Sequence, residues 1–195
     1  MKPIPPQDIL DFWFGAPGSP DAGQPRRAWF VKKDAFDATI RDRFGAAIDT
    51  ALAGGLREWD EAGPQGVLAR LLVLDQFTRN AWRNTPRAFA GDALALAAAC
   101  ALVDAGADRA LAPWQRAFAY MPFEHAEDAY MQERAVELFS MLAAEHPGFD
   151  ETLDYAHRHR GVIARFGRFP HRNAILGRAS TPEEQAFLAQ PGSRF

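Results

Sequence analysis

The chain has 195 residues, of which 48% are hydrophobic and 24% are charged, values that are typical of a folded globular domain. The formal net charge of −3 argues against a general nucleic-acid-binding protein, because such proteins usually carry a basic excess. Cys100 is the single cysteine, so we expect neither an intramolecular disulfide nor a cysteine-built metal site.

The N-terminal stretch lacks the apolar core of a signal peptide. The longest apolar run, residues 93–103, is shorter than the roughly 20 residues that a membrane-spanning helix needs. We therefore expect a cytoplasmic protein that contacts no membrane.

Helical periodicity runs through almost the whole chain, and stretches with strand-like alternation are absent. Asp34 is expected to cap the second helix, and the pairs Thr85-Pro86 and Thr181-Pro182 are typical of helix starts. Glu184 completes a capping box with Thr181. In chain order, the predicted helices cover residues 8–14, 34–54, 64–82, 86–106, 113–121, 124–145, 149–167 and 182–190.

Short connections rich in Gly and Pro separate these helices, which favours antiparallel neighbours. No linker divides the chain, so we expect a single domain over residues 1–195. No clear repeat of about 34 residues is visible, but stacked helix hairpins remain the expected architecture. The predicted fold class is all-α, tetratricopeptide-like, with about eight to ten helices.

Four predicted helices carry ionisable residues inside an otherwise apolar stripe. In the helix from residue 124, His125 and Asp128 share the spacing of Phe139 and Leu142. Burying an unpaired polar group costs about 1–3 kcal/mol, so we expect these groups to meet each other or a ligand in a partly buried polar site. The interrupting residues are Asp75, Arg79, Asp92, His125, Asp128 and His157.

Acidic and basic residues form two adjacent blocks. Residues 124–154 contain nine acids and one arginine, whereas residues 155–182 contain six arginines, three histidines and no acid. An antiparallel hairpin centred near Pro147 would set acid against base, and we expect Arg158 and Arg165 to be used in such pairs.

The remaining basic residues lie at or beyond the end of this hairpin. Arginine forks suit carboxylate and phosphate groups, so these residues are candidates for binding a small anion. An equally weighted alternative is that they tie the protein's own turns together by bonding backbone carbonyls. The candidates are Arg168, His171, Arg172 and Arg178, with Asn173 as a further donor.

Other chemistries find less support in the sequence. The segment EHAED offers His125 and Asp128 on one face, but the Glu-x-x-His repeat of di-iron bundles and the His-Glu-x-x-His motif are absent. No glycine-rich phosphate loop and no Gly-x-Ser-x-Gly elbow is present. We expect no metal and no cofactor, and His125 with Asp128 is the candidate acid–base pair.

Four ordered motifs carry a family resemblance over nearly the whole chain: WFVKKDAFDATIRDRF, LDQFTRNAWRNTPRAFAGD, YMPFEHAED and FGRFPHRNAILGRASTPEEQAFL. Together they resemble the bacterial family known as domain of unknown function 924. The resemblance implies an all-helical, tetratricopeptide-like fold and brings no established activity or catalytic residues.

The family pattern can be laid on this chain residue by residue. It departs at Thr78, where the family pattern has proline, and at Glu124 and Ala126, where it has methionine and serine. These departures weaken Glu124 as a predicted site residue. The matching polar positions are Asp75, Gln76, Arg79, Asn80, His125, Glu127, Asp128, Arg168, His171, Arg172, Asn173 and Arg178.

Two functions remain open at this point. The first is an all-α domain whose arginine-lined polar site binds a small anionic ligand. The second is an interaction module for a protein or peptide, whose polar clusters only fix helix packing. The fold does not choose between them, because one fold hosts many functions.

Overall fold

The computed structural model describes residues 4–193, and every regular element within this range is helical. This confirms the predicted all-α class, whereas the tetratricopeptide-like arrangement stays a prediction. The α-helices of the described range are α1 (Pro6–Phe14), α2 (Asp34–Leu52), α3 (Pro64–Leu72), α4 (Thr78–Ala81), α5 (Asp92–Asp104), α6 (Pro113–Glu124), α7 (Ala129–Glu145), α8 (Asp150–Phe166) and α9 (Pro182–Leu188).

The chain divides into two compact units. The first comprises the described residues up to Arg83 together with Arg87–Pro122, and the second comprises Asn84–Pro86 with the described residues from Phe123 onward. The single domain over residues 1–195 stays a prediction.

Aromatic side chains build the core of the first unit. Trp13, Phe44, Phe77 and Phe118 are fully buried. The ring centroids of Trp13 and Phe118 lie 5.5 Å apart in an edge-to-face arrangement, and those of Phe44 and Phe77 lie 5.1 Å apart. Since each aromatic side chain removes a large apolar area from water, these rings hold α1 and α2 to their neighbours.

Helices α3 and α4 are joined by a π-helical segment, Val73–Phe77. The sequence predicts a continuous helix here but not the wider turn, because apolar periodicity does not reveal one inserted residue. Such π turns are often found at functional sites. This one carries Asp75 and Gln76 of the central motif.

The predicted continuous helix over 86–106 is wrong in its first part. A 3₁₀ turn spans Pro86–Phe89, and α5 begins at Asp92, directly after Gly91. A Cβ atom at Gly91 would lie 2.2 Å from the carbonyl oxygen of Leu74. The backbone therefore packs directly on the π segment, and this close approach requires glycine.

By length and composition alone, one described stretch, Pro86–Asp104, could cross a membrane. The core helix of a globular protein can pass the same test. About a third of the 18-residue window is buried, 33%, and Ala95, Ala99 and Leu102 are among the buried residues. A cytoplasmic location stays a prediction.

An antiparallel hairpin of α7 and α8 forms the framework of the second unit. Arg160 near the end of α8 donates to Glu133 near the start of α7, with Nη1 3.0 Å from Oε2. Arg158 instead pairs with Asp154 on its own helix, and Arg165 pairs with Glu183. Both arginines pair with the protein's own carboxylates, but neither pairs across the hairpin, so the prediction that they are used in pairs between α7 and α8 is wrong.

Three predicted helix starts can be compared with the structure. Helix α7 begins at Ala129 rather than at 124, because the carboxylate of Asp128 caps it by accepting the Met131 amide at 2.9 Å. Asp34 is the first residue of α2 and makes no capping hydrogen bond, so its predicted capping role is wrong. The capping box of Thr181 and Glu184 at α9 is confirmed.

Candidate functional site

The first polar cluster lies in the first unit, at the π-helical segment. Asp75 is fully buried, and its carboxylate lies 2.9 Å from Nη1 of Arg79 and 2.6 Å from Nε2 of Gln76. Arg79 also pairs with Asp92, whose Oδ1 is 2.9 Å from the same Nη1. One guanidinium therefore joins two carboxylates, and four predicted site residues come together.

This cluster also holds the backbone of the π segment. Arg79 Nη1 donates to the carbonyl oxygen of Asp75 at 2.8 Å, and the Thr78 hydroxyl donates to the carbonyl of Leu74 at 2.8 Å. Burial opposes the charge of Arg79, but Asp75 and Asp92 outweigh this effect and raise the pKa of Arg79 above its ordinary value. Arg79 is therefore a permanently charged tie between the π segment and the start of α5.

Asn80 is predicted with this group but has a different partner. Its Nδ2 donates to Oδ1 of Asp37 at 3.0 Å, and Arg83 Nε donates to the other oxygen of Asp37 at 2.6 Å. Asp37 and Arg83 are missing from the predicted set. Asp37 shares the three- and four-residue spacing of the buried Ile40 and Phe44, and that spacing is the signal that could have found it.

A second network absent from the predicted set lies near the start of α6. The Tyr120 hydroxyl donates to Oδ2 of Asp108 at 2.5 Å and accepts from Nε of Arg116 at 3.0 Å. All three side chains are buried. Burial and the hydrogen bond to Asp108 raise the pKa of Tyr120 well above its ordinary value, so the phenol remains protonated.

In the second unit, two predicted arginines bind the protein's own carboxylates. Arg168 donates two hydrogen bonds to the Glu184 carboxylate, at 2.7 and 2.9 Å. Arg178 donates two to the Glu127 carboxylate, at 2.6 and 2.8 Å. Asn173 also donates to Glu184, at 3.2 Å. Arg168 and Arg178 also donate to the carbonyls of Ala179 and Phe169, at 2.9 and 3.2 Å, as the alternative of arginines that tie turns together through backbone carbonyls predicts.

Both carboxylates are held ionised by these contacts. The hydrogen bond from Arg168 lowers the pKa of Glu184 to about 2, against the opposing effect of burial. Burial opposes ionisation of Glu127, but hydrogen bonds from Arg178 and the Phe169 amide outweigh it and hold the pKa of Glu127 below its ordinary value. The ionised carboxylates of Glu184 and Glu127 therefore neutralise the charges of Arg168 and Arg178.

Arg172 lies within a group of imidazole rings. It is buried, its Nη2 donates to the carbonyl of His125 at 3.1 Å, and its guanidinium stacks on Phe169 at 4.6 Å from the ring centroid. The same Phe169 ring contacts His159 at 5.5 Å and His171 at 5.6 Å between centroids. We call Arg172, His125, His159 and His171 the Phe169 cluster.

The potential within this cluster is positive. Burial and, next in size, the nearby charge of Arg172 together lower the pKa of His171 to about 3. His159 and His125 act in the same direction, and only Glu127 opposes them. Apart from burial, the charged groups around His171 are therefore positive on balance.

One member of the Phe169 cluster, His159, is missing from the predicted set. Its Nδ1 lies 2.7 Å from Oε1 of Glu124 and 2.9 Å from the carbonyl oxygen of Tyr155. Two acceptors at Nδ1 require that this nitrogen carries a proton. His159 shares the spacing of the buried Ala156 and Val162 on α8, which is the signal that could have found it.

Two predicted site residues lie at the surface. His157 is exposed, because the buried face of α8 runs through His159 instead. Asp128 is exposed and its carboxylate serves as the helix cap of α7. The expectation that both belong to a buried helix face is therefore wrong. His125 is half-buried, in the turn that precedes α7 rather than on that helix.

The described residues contain no group of three or more His, Cys, Asp and Glu side chains that could hold a metal ion. Each unit has its own polar cluster, and the expectation that residues of both clusters line one site stays a prediction. The chemistry available in the second unit is anion recognition and proton transfer, because it combines a buried guanidinium with three imidazoles.

Comparisons with known proteins agree with the helical architecture. A solved structure from Agrobacterium tumefaciens, described as a protein of unknown function, ATU0120, is similar with a TM-score of 0.81 and 41% sequence identity. The alignment covers 94% of this chain and 96% of that one. No curated protein matches the chain.

The family profile described as bacterial protein of unknown function, DUF924, matches residues 9–192. This range includes every polar cluster described above, and the resemblance carried by the four sequence motifs is confirmed. The chain belongs to the DUF924 family.

Proposed function

We propose that the second unit binds a small anionic ligand, carrying a carboxylate or a phosphate, at the Phe169 cluster. The observation that carries this proposal is that Arg172, His159 and His171 contact one aromatic ring, Phe169, and that the His125 ring lies 6.3 Å from the His159 ring. A guanidinium and imidazole N–H groups are the donors that such anions accept.

The electrostatic environment supports this proposal. Burial is the largest cause of the low pKa of His171; beyond it, three basic groups lower this pKa and one carboxylate raises it, so the charges around the ring are positive on balance. His125 and His171 are half-buried, so a ligand in solution can contact part of each side chain. The field is stronger here than in water because burial reduces dielectric screening.

Arg168 and Arg178 have a different role in this proposal. Each donates two hydrogen bonds from its guanidinium to one carboxylate. Arg178 also donates to the Phe169 carbonyl at 3.2 Å. They hold the segment that carries Phe169 and His171 in place. The Phe169 cluster binds the anion. The pairs Arg168–Glu184 and Arg178–Glu127 position the cluster.

The same geometry supports an acid–base role for His159, in place of the predicted pair of His125 and Asp128. Glu124 and the Tyr155 carbonyl fix the proton on Nδ1, which leaves Nε2 as the atom that exchanges a proton. A carboxylate that orients an imidazole in this way is a common arrangement for general base catalysis. Asp128 is engaged as a helix cap.

The test is a ligand screen by thermal shift with purified protein, using phosphate, sugar phosphates, nucleotides, and di- and tricarboxylates. A ligand at 100 times its Kd adds about 2.7 kcal/mol to the free energy of unfolding. That corresponds to an increase in Tm of roughly 5–10 °C for a chain of this size. Binding should also raise the pKa of His171, as followed by its imidazole NMR signals, because an anion favours the charged ring.

Arg172→Gln is the informative variant, and Arg160→Gln is its matched control, since Arg160 pairs with Glu133 at the surface. We expect the ligand-induced shift to disappear in Arg172→Gln and to persist in Arg160→Gln. Circular dichroism verifies that both variants fold. A shift of equal size in both variants, or no shift with any anion in the wild type, would contradict the proposal.

A second candidate function is a module that binds a protein or peptide. It is favoured by two exposed tyrosines in the second unit, Tyr130 on α7 and Tyr155 on α8, which are 66% and 43% exposed. Tyrosine is enriched in protein interfaces. Loss of partner binding in a Tyr130→Ser/Tyr155→Ser variant, with Arg172→Gln unaffected, would select this function over anion binding.

A further inference from the structure

The first unit contains a short basic and aromatic loop, residues 26–33, with the sequence RRAWFVKK. The first half of the loop is anchored to the core. Trp29 is buried, and its indole N–H donates to the carbonyl of Trp13 at 2.9 Å. Arg26 Nη1 donates to the carbonyl of Phe12 at 2.6 Å. Trp29 also packs on Phe118, with 4.9 Å between ring centroids. The loop is therefore held rigidly at its first half.

The second half of the loop projects apolar side chains into solvent. Phe30 is 60% exposed and Val31 is 38% exposed. The Phe30 ring borders those of Trp29 and Trp114, at 6.1 and 6.3 Å between centroids, and its greater part stays in contact with solvent. Adjacent exposed apolar residues that rest on a fixed base are typical of contact surfaces.

Exposed positive charges surround these two side chains. Lys32 and Lys33 follow directly, and Arg27 precedes them. The chain has three lysines, of which two lie in this loop, although the net charge of the protein is −3. Lys32 pairs with Asp34 at 3.2 Å, but both side chains are largely exposed, so this pair screens little of the charge.

We propose that this loop binds an anionic lipid surface, with Phe30 and Val31 entering the interface and the basic residues facing lipid phosphates. Peripheral membrane binding scales with buried apolar area plus attraction to anionic headgroups, and the loop supplies both. This inference is independent of the anion site in the second unit, because it involves the first unit alone.

The alternative occupant is an acidic protein surface. The arrangement favours lipid because two of the charges are lysines, compact ammonium groups that do not require the paired geometry of arginine and carboxylate. In addition, Phe30 and Val31 present apolar surface that a bilayer interface accepts without a shaped pocket. The absence of membrane contact stays a prediction, and the proposal of peripheral attachment departs from it.

The test is co-sedimentation of the full chain with vesicles of phosphatidylglycerol and phosphatidylcholine, compared with vesicles of phosphatidylcholine alone. We expect binding to the anionic vesicles that weakens steeply between low salt and physiological salt, because exposed charges are screened. Each of Lys32→Ala and Lys33→Ala should weaken binding about fivefold. Phe30→Ser should weaken it about tenfold.

Matched controls are Arg109→Ala, which removes an exposed charge elsewhere in the first unit, and Tyr130→Ser, which removes an exposed aromatic in the second. Both should bind vesicles like the wild type. The proposal is overturned by equal binding to neutral and anionic vesicles, by no binding to either, or by equal losses in the controls. Binding to an acidic polypeptide but not to vesicles would overturn it in favour of a protein partner.

Discussion

Arg178 forms a bidentate ion pair with Glu127, 51 positions away in the chain, with Nη1 2.6 Å from Oε2 and Nη2 2.8 Å from Oε1. The same carboxylate accepts the backbone N–H of Phe169 at 2.8 Å. This relationship fastens the segment after α8 to the turn that precedes α7. It also explains why the arginine-rich stretch coexists with an acidic protein: the positive charge is matched from within.

Removing this charge should destabilise the protein. Glu127→Gln leaves the half-buried Arg178 without its ionised partner, so we expect the free energy of unfolding to fall by about 1–3 kcal/mol. The measurement is urea unfolding followed by circular dichroism. The control is Glu133→Gln, whose pair with Arg160 is exposed and should change stability by less than about 0.5 kcal/mol. Equal effects in the two variants would contradict the buried tie.

The Arg79 tie in the first unit should matter more. Arg79→Met leaves the carboxylate of Asp75, which is fully buried, without its cation, and breaking a buried pair costs about 3–5 kcal/mol. Adding Asp75→Leu removes the orphaned charge, so the double variant should be more stable than Arg79→Met alone. Arg109→Met serves as the surface control. A double variant less stable than the single one would show that Asp75 is supported by other groups.

Gly91 should tolerate no side chain. A Cβ atom there would lie 2.2 Å from the backbone oxygen of Leu74, so Gly91→Ala forces α5 away from the π segment. We expect a loss of about 2–4 kcal/mol, comparable to other overpacked sites. Gly45→Ala is the opposite case, because nothing lies within 4 Å of that position in α2. It should stabilise the protein by up to about 1 kcal/mol.

His171 should make stability depend on pH. Burial and the charge of Arg172 lower its pKa to about 3, whereas an unfolded histidine titrates near 6.5. Between these values the unfolded chain binds more protons, so the free energy of unfolding falls as the pH falls from 6.5 toward 3. The slope for one proton is at most about 1.4 kcal/mol per pH unit.

The window from pH 4.5 to 6.5 isolates this effect from that of Glu184, whose folded pKa of about 2 places its own loss of stability below pH 4.5. Urea unfolding of wild type and His171→Gln over this window gives the two slopes. We expect a smaller slope in His171→Gln. Parallel slopes would mean that other histidines carry the pH dependence.

Local sequence signals were sufficient for most of the helices and for several of the polar residues. The capping box of Thr181 and Glu184 is determined by residues three positions apart, so it could be predicted correctly. Asp75, Arg79 and Asp92 were found because charged residues in an apolar stripe must have partners once buried. The family resemblance was likewise readable from four short motifs and holds over residues 9–192.

Helix phase was the main source of error within the site. Placing the start of α7 at 124 rather than 129 put Asp128 on a helix face, although its carboxylate caps the helix. On α8, the stripe drawn through His157 missed His159, two positions later, which faces the interior. A shift of one or two residues moves a side chain through 100° or 200° around a helix, so small boundary errors exchange buried and exposed residues.

By itself, the sequence determined that this protein is helical, where most helices lie, and that basic and acidic blocks must be matched. Only the tertiary structure decided which carboxylate each arginine binds. Arg168 with Glu184 and Arg178 with Glu127 are separated by 16 and 51 positions. Helix periodicity acts over a few residues, whereas such pairs depend on how distant segments pack, so no local pattern could reveal them.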